Sequence, residues 1–448
     1  MELFELSVSE LVTNIKNNSV SSVELMRALL DRINLLEPSL KAWVHLDQDQ
    51  AMIEAKSKEK QLKSGEALGP LHGVPIGVKD IYYTAGIPTT ACSRVLADFI
   101  PDYDATIVAT LKRAGAIILG KTVTTEFACA DPSPTINPWN AKHTPGGSSS
   151  GSAVAVASRM CPVALGSQTV GSVLRPASYN GLVGFKPTLG RVSRYGVIPV
   201  SWTLDTMGWI SRTVQDAALL LQVLAGTDPR DPVSLKEPVP DYLSNISKYS
   251  QPKFGVLRNF FYDQADEQTK NNFDDILESF KKSGAQVIDL SIPDSMQTAI
   301  ADQQLIMSVE GAAFHEPMFN GQKDMYQPKL REMLEKGLRV TGIEYSKAKE
   351  RRLEFVREME NLAEQADVLI TPSTPTPALA DLSNTGNTAF QGPWTYCGLP
   401  TITIPSGLST TGLPLGVQLI GPALAEAKLL QIASWCENTL DIHLKPPL

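Results

Sequence analysis

"GGSSSGSAVAVASRMCPVALGSQTVGSVLRPASYNGLVGFKPT", residues 146–188, opens on a serine cluster and runs on as a small-residue helix. It then gives two short strands, CPVALGSQT (161–169) and GLVGFKPT (181–188). Serines at the start of a helix can serve as a nucleophile, an anion cradle or a flexible linker. The helix-strand alternation that follows is the first sign of an α/β chain.

The same alternation continues outward. LHGVPIGVKDIYYTAGIPTTACS (71–93) is an apolar, Gly/Pro-punctuated run that predicts a buried strand and turns, and TIVATLKRAGAIILGKT (106–122) predicts a helix entering a strand. Downstream, RVSRYGVIPV (191–200), KFGVLR (253–258), AQVIDL (285–290), ADVLITPSTPTPA (366–378) and PLGVQLIG (414–421) read as strands. Helices are predicted over 213–225, 266–283 and the highly charged 326–366, and the Pro/Asp/Ser-rich 228–250 reads as a loop. The first 65 residues are helical in pattern. Ser7 with Glu10, and Ser21 with Glu24, each spell a capping box. These signals predict one large α/β domain, residues 1–448, with helices on both sides of a sheet. It divides into a helical layer (1–65), a core (66–225), a variable region on the substrate side (226–364) and C-terminal core strands with a helix (365–448).

Composition narrows the function. The chain of 448 residues carries a net charge of −8, which argues against a nucleic-acid surface. Five scattered cysteines with no CxxC spacing, and histidines without an HExxH pattern, predict neither structural zinc nor a disulfide framework. No signal peptide and no run of roughly 20 apolar residues is present, so a cytoplasmic protein without a membrane partner is expected.

Three candidate chemical groups stand out. Gly147-Ser148-Ser149-Ser150-Gly151 matches G-x-S-x-G, but the residues before it, NPWNAKHTPGG (137–147), are polar and turn-forming instead of a hydrophobic strand. Ser172 follows Gly171 among small residues, where turn N–H groups can aim at a developing oxyanion. Lys79 lies inside an apolar run, and burial of a lysine lowers its pKa towards that of a general base. Asp80 beside it is a candidate cap or charge partner whose side chain points to the opposite face of an extended segment.

Together these stretches resemble the amidase signature family of serine hydrolases. Residues 146–188 follow its Gly/Ser-rich signature, with further matches at 73–90, INPWN (136–140), 204–226, 367–375 and 398–421. The resemblance implies a mixed central sheet and a Ser–Ser–Lys triad whose bridging serine follows a cis peptide bond. Carried over, Ser172 is the nucleophile, Ser148 the bridge and Lys79 the base, with Ser149 and Ser150 architectural. The N–H groups of Thr169, Val170, Gly171 and Ser172 form the oxyanion hole, and no metal or organic cofactor is implied.

The chain departs from the usual Asp-Thr-Gly-Gly-Ser at Gln168 and Val170. It also places Arg175 three residues after the nucleophile instead of two. These changes, and a short CADPSPTI segment (129–136), are closer to a bacterial subgroup of broad amidases than to the A component of glutamyl-tRNA amidotransferase. Pocket residues are expected at Cys129, Ala130, Asp131, Trp139, Tyr179 and Trp394, the aromatics suiting an acyl or aryl group. The implied activity is hydrolysis of linear aryl or alkyl amides with esterase side activity. Carbamate (urethane) cleavage and a glutamyl-tRNA amidotransferase A-like role are the alternatives. The expected partner is a small amide, ester or carbamate. Homodimerisation is common among such enzymes, and nothing in this sequence marks a surface for it.

Overall fold

The computed structural model describes residues 2–448. Among them eleven strands form one mixed sheet: β1 (Trp43–Leu46), β2 (Pro75–Lys79), β3 (Ile117–Thr122), β4 (Val163–Gln168), β5 (Val183–Lys186), β6 (Thr206–Ser211), β7 (Lys253–Leu257), β8 (Gln286–Leu290), β9 (Val368–Pro372), β10 (Thr401–Leu408) and β11 (Pro414–Ile420). Their order across the sheet is β1-β3-β2-β4-β6-β5-β10-β11-β9-β7-β8. β2 runs parallel to both β3 and β4, and β7 parallel to both β8 and β9. The other neighbours are antiparallel. Helices cover both faces, so every residue of β2, β3, β4 and β6 is buried, and these strands read as apolar runs without alternation. The result is a single α/β domain with a large mixed sheet flanked by helices.

Local signals at the N-terminus act as the sequence predicts. The Ser7 hydroxyl accepts the Glu10 N–H at 3.2 Å while the Glu10 carboxylate accepts the Ser7 N–H at 2.8 Å, opening helix Val8–Lys16. Ser21 and Glu24 form the same reciprocal cap on helix Ser22–Leu40. Helices Val214–Leu224 and Glu267–Lys282 fall where their periodicity put them.

Elsewhere tertiary contacts override the local pattern. Residues 191–200 are not a strand. They form turns with one isolated bridge at Val197, held by side chains of the following loop: Asp231 accepts the Arg194 N–H at 2.8 Å, and Asp228 accepts the Ser193 hydroxyl at 2.7 Å. Residues 326–366 are two helices, Pro328–Arg339 and Gly342–Ala363. The break falls at Thr341, which caps the second helix with Glu344. Helix Met296–Phe319 escapes the periodicity test because polar residues, among them Asp302, Gln303, Glu310 and His315, occupy buried positions. Residues 226–364, expected as a variable region, also add β7 and β8 to the same sheet.

Helix Ser150–Ala157 is buried on all sides, which is why its residues are small. Gly151 shows how tight the fit is: a Cβ there would lie 2.3 Å from the Ala42 carbonyl oxygen and 2.4 Å from the Val123 nitrogen, both backbone atoms. Gly151→Ala is therefore expected to destabilise the fold by about 1–3 kcal/mol, the usual range for overpacking. Thermal unfolding checks this against Gly342→Ala, whose added methyl meets nothing within 4 Å.

Candidate active site

Lys79 ends β2 and Gln168 ends β4. Because these strands are adjacent and parallel, their carboxyl ends open on the same edge of the sheet, where α/β folds place their sites. Ser148 reaches this edge from the turn that precedes helix Ser150–Ala157, after a cis Gly147–Ser148 peptide bond. The Lys79 amine is 0% exposed and donates to Ser148 Oγ at 2.6 Å and to Ser167 Oγ at 2.9 Å. Burial pulls the Lys79 ammonium from its ordinary 10.5 down to about 7, against the opposing attraction of the Asp205 carboxylate. Asp80, the neighbouring charge, turns away from this amine. It ion-pairs with the buried Lys121 at 3.4 Å and accepts the Thr90 N–H and hydroxyl and the Cys92 N–H.

After β4 the chain turns through Thr169–Ser172 into helix Leu174–Tyr179. Ser148, Thr169, Val170 and Ser172 line one cavity of about 310 Å³. No hydrogen bond joins the Ser148 and Ser172 hydroxyls; the two turns are tied instead by the Ser149 N–H, which donates to the Ser172 carbonyl at 3.3 Å.

The backbone of this loop is held in an unusual way. The carbonyl of Thr169 accepts from Gln303 Nε2 at 3.1 Å, that of Val170 from the Thr395 hydroxyl at 2.8 Å, and that of Gly171 from the Arg175 N–H at 3.1 Å. Each trans peptide directs its N–H opposite to its C=O. Fixing these three carbonyls therefore turns the N–H groups of Val170, Gly171 and Ser172 to the other side of the loop. Those three, and the N–H of Thr169, find no protein acceptor among the described residues.

Gln168 explains its own departure from aspartate. Its Oε1 accepts the N–H groups of Val173 and Leu174 at 2.9 and 3.0 Å, while Nε2 donates to Thr395 at 3.0 Å. A carboxylate could make the first two bonds but not the third. Arg175 is buried and braces the opposite turn, donating from Nη2 to the Gly147 carbonyl at 2.7 Å and to Thr385 at 3.2 Å. The Thr169 hydroxyl donates to Asp205 at 2.5 Å.

Of the pocket residues expected from sequence, Cys129 and Ala130 line the cavity. Asp131 instead accepts the N–H groups of Lys329 and Leu330, capping helix Pro328–Arg339. The aromatic wall is not there. Trp139 donates to the Asn180 carbonyl, Tyr179 is fully buried, and Trp394 stacks on Phe261 in the core, at 5.3 Å between ring centroids. Ile300, Gln303, Gln304 and Met307 from helix Met296–Phe319, the 384–392 segment, and the cationic side chains Arg175 and Lys329 form much of the remaining wall.

Ser167, Gln303 and Thr395 are the site residues that sequence reading did not single out. Ser167 sits in a quoted strand, but its meeting with Lys79 depends on which strands are neighbours; the other two lie far along the chain. Among the described residues no group of three or more His, Cys, Asp or Glu is placed to hold a metal ion, and no helix is long and apolar enough to cross a membrane.

The site thus brings together a buried amine able to be neutral near pH 7, two hydroxyls and a set of free N–H donors, the parts needed for attack on a carbonyl carbon. Comparison with known proteins agrees with the family resemblance and extends it through the variable region. The family model described as Amidase matches residues 24–430. The chain is 38% identical to the A component of glutamyl-tRNA(Gln) amidotransferase from Geobacter sp. (strain M21), over 99% of each chain. Among solved structures it is similar to the native peptide amidase of Stenotrophomonas maltophilia (TM-score 0.88, 30% identity, 99% of this chain and 98% of that one). It is also similar to 6-aminohexanoate cyclic dimer hydrolase (TM-score 0.90, 26% identity, 100% of this chain and 99% of that one). With a family match across most of its length and the same fold throughout, the chain belongs to the amidase signature family.

Proposed function

We propose that this amidase-family hydrolase cleaves linear carboxylic amides through a serine acyl-enzyme. The observation that carries the reading is the buried Lys79 amine, hydrogen-bonded to Ser148 and brought to about 7 by its burial. Neutral Lys79 takes a proton from Ser148, and Ser148 takes one from Ser172, since a hydroxyl both donates and accepts. Ser172 Oγ then bonds to the amide carbon, and the carbonyl π electrons move to its oxygen, which the N–H groups of Thr169–Ser172 stabilise. As the C–N bond breaks, the proton held at Lys79 returns through Ser148 to the leaving nitrogen. Water, deprotonated by the same relay, hydrolyses the ester. Hydrogen bonds of such relays commonly tighten only with substrate in place, which suits the open Ser148–Ser172 step. Esters and carbamates fit the same sequence of steps.

A second reading has an observation of its own. Curated relatives at 35–38% identity along nearly the whole chain are A components of glutamyl-tRNA(Gln) amidotransferase. The similarity in sequence weighs more for that role than for a free-standing amidase: the same acyl-enzyme would release ammonia from glutamine for a partner protein. The cavity chemistry weighs the other way. Among the described residues no Asp or Glu lines it to meet an α-ammonium group, and Val170, Ile300 and Met307 offer apolar surface, although Arg175 and Lys329 on the same wall could meet a carboxylate.

The purified chain alone is expected to hydrolyse p-nitroacetanilide, a short p-nitrophenyl ester or an aryl carbamate. Ser172→Ala and Lys79→Ala should each lose on the order of 10⁴-fold in kcat or more. Turnover of L-glutamine only, and only with added partner proteins, would establish the second reading in its place. Full activity in Lys79→Ala would remove the lysine from the mechanism.

The pH profile follows from the charge of Lys79. Below about 7 the amine is protonated and has no lone pair to accept a proton. For a hydrolysed anilide, kcat/KM should therefore rise with pH through about 7, with a slope of one proton. A profile flat from pH 5 to 9 would contradict the assignment.

A further inference from the structure

We propose that Gln303 is a positioning residue for the oxyanion loop, coupling that loop to the substrate-side wall of the cavity. The inference rests on the reading of Thr169–Ser172 given above and extends it to a residue outside the signature region.

Gln303 is 2% exposed and lies on helix Met296–Phe319. Both hydrogens of its amide nitrogen are used: Nε2 donates to the Thr169 carbonyl and to the Gly392 carbonyl, each at 3.1 Å. One planar group thus fastens the candidate oxyanion loop to the start of helix Gly392–Cys397, whose Thr395 holds the next carbonyl of the same loop. The close approach depends on Gly392 having no side chain, because a Cβ there would lie 2.7 Å from Gln303 Oε1 and 3.2 Å from Val170 Cγ1. With its oxygen held, the Thr169–Val170 peptide keeps the Val170 N–H turned the opposite way. Ile300 and Met307, three residues before and four residues after Gln303, share its helix face and line the same cavity. A substrate packed against this face presses on the helix that orients the N–H donor.

The prediction separates the transition state from the ground state. Gln303→Met keeps volume and removes the donors, and Gln303→Glu sets a carboxylate against two carbonyl oxygens. Against the best anilide or ester, both should lower kcat by roughly 10- to 100-fold, part of the effect of deleting an oxyanion donor, with KM changed by less than about threefold. A second readout needs no turnover. Ser172 Oγ adds to the carbonyl carbon of 1,1,1-trifluoro-4-phenylbutan-2-one, its proton passing to the Lys79 relay and the π electron pair to oxygen, and 19F NMR follows the hemiketal. Its affinity should fall in step with kcat in both variants, while binding of 4-phenylbutan-2-one, which lacks the activating fluorines, stays level.

Equal loss for both ketones would make Gln303 a general support of the cavity, and no loss for either would make it a bystander; each overturns the proposal. Absence of a hemiketal with Ser172 in the unmodified enzyme would instead strike the serine mechanism itself, so the two failures are distinguishable.

Discussion

The burial of the Lys79 amine is the constraint around which the edge of this sheet is organised. An ammonium group withdrawn from water must find a counter-charge or give up its proton. The chain shows both solutions side by side on adjacent strands. Lys121 on β3 pairs with Asp80, its ammonium brought by burial to about 8 with that carboxylate opposing the fall. Lys79 on β2 meets only hydroxyls at hydrogen-bond distance, and burial takes it to about 7. Because Asp80 turns to Lys121, the proposed base is spared a direct ion pair that would hold its proton.

Parallel pairing does the rest of the assembly. β2 and β4 run parallel and β4 extends only two residues past the end of β2, so the lysine at the tip of one strand and the turn that follows the other share an edge. The turn is not shaped by its own sequence alone. Its carbonyls are held by Gln303 and Thr395, more than a hundred residues away, and by the Arg175 N–H. Its free N–H groups are the other ends of those same peptides. The proposed oxyanion site is made by satisfying acceptors, which leaves the donors over.

What was legible and what was not divides along physical lines. The capping boxes at Ser7 and Ser21 rest on contacts three residues apart, and they form as read. The apolar runs of β2, β4 and β9 become buried strands because a two-sided sheet needs no alternation. By contrast, 191–200 has the composition of a strand but pairs with residues 81–83 only through one isolated bridge, and the carboxylates of Asp228 and Asp231 hold it in turns. Helix Met296–Phe319 buries polar side chains that have tertiary partners, such as Gln303 and Glu310, which erases the apolar stripe. Trp139, Tyr179 and Trp394 have the right chemistry for a pocket and are spent on packing or backbone contacts.

The sequence by itself determined the α/β class and the family, and it marked Lys79, Ser148 and Ser172 as the candidate triad, because these rest on local spacing and on a signature that runs continuously along the chain. Only the tertiary structure decided which groups surround them: Ser167 as a second partner of Lys79, Asp80 turned to Lys121, and Gln303 and Thr395 behind the loop. Those contacts follow from strand order and from side chains meeting across more than a hundred residues. A hydrogen bond depends on distance and angle in space, and neither is written in the spacing of residues along a chain.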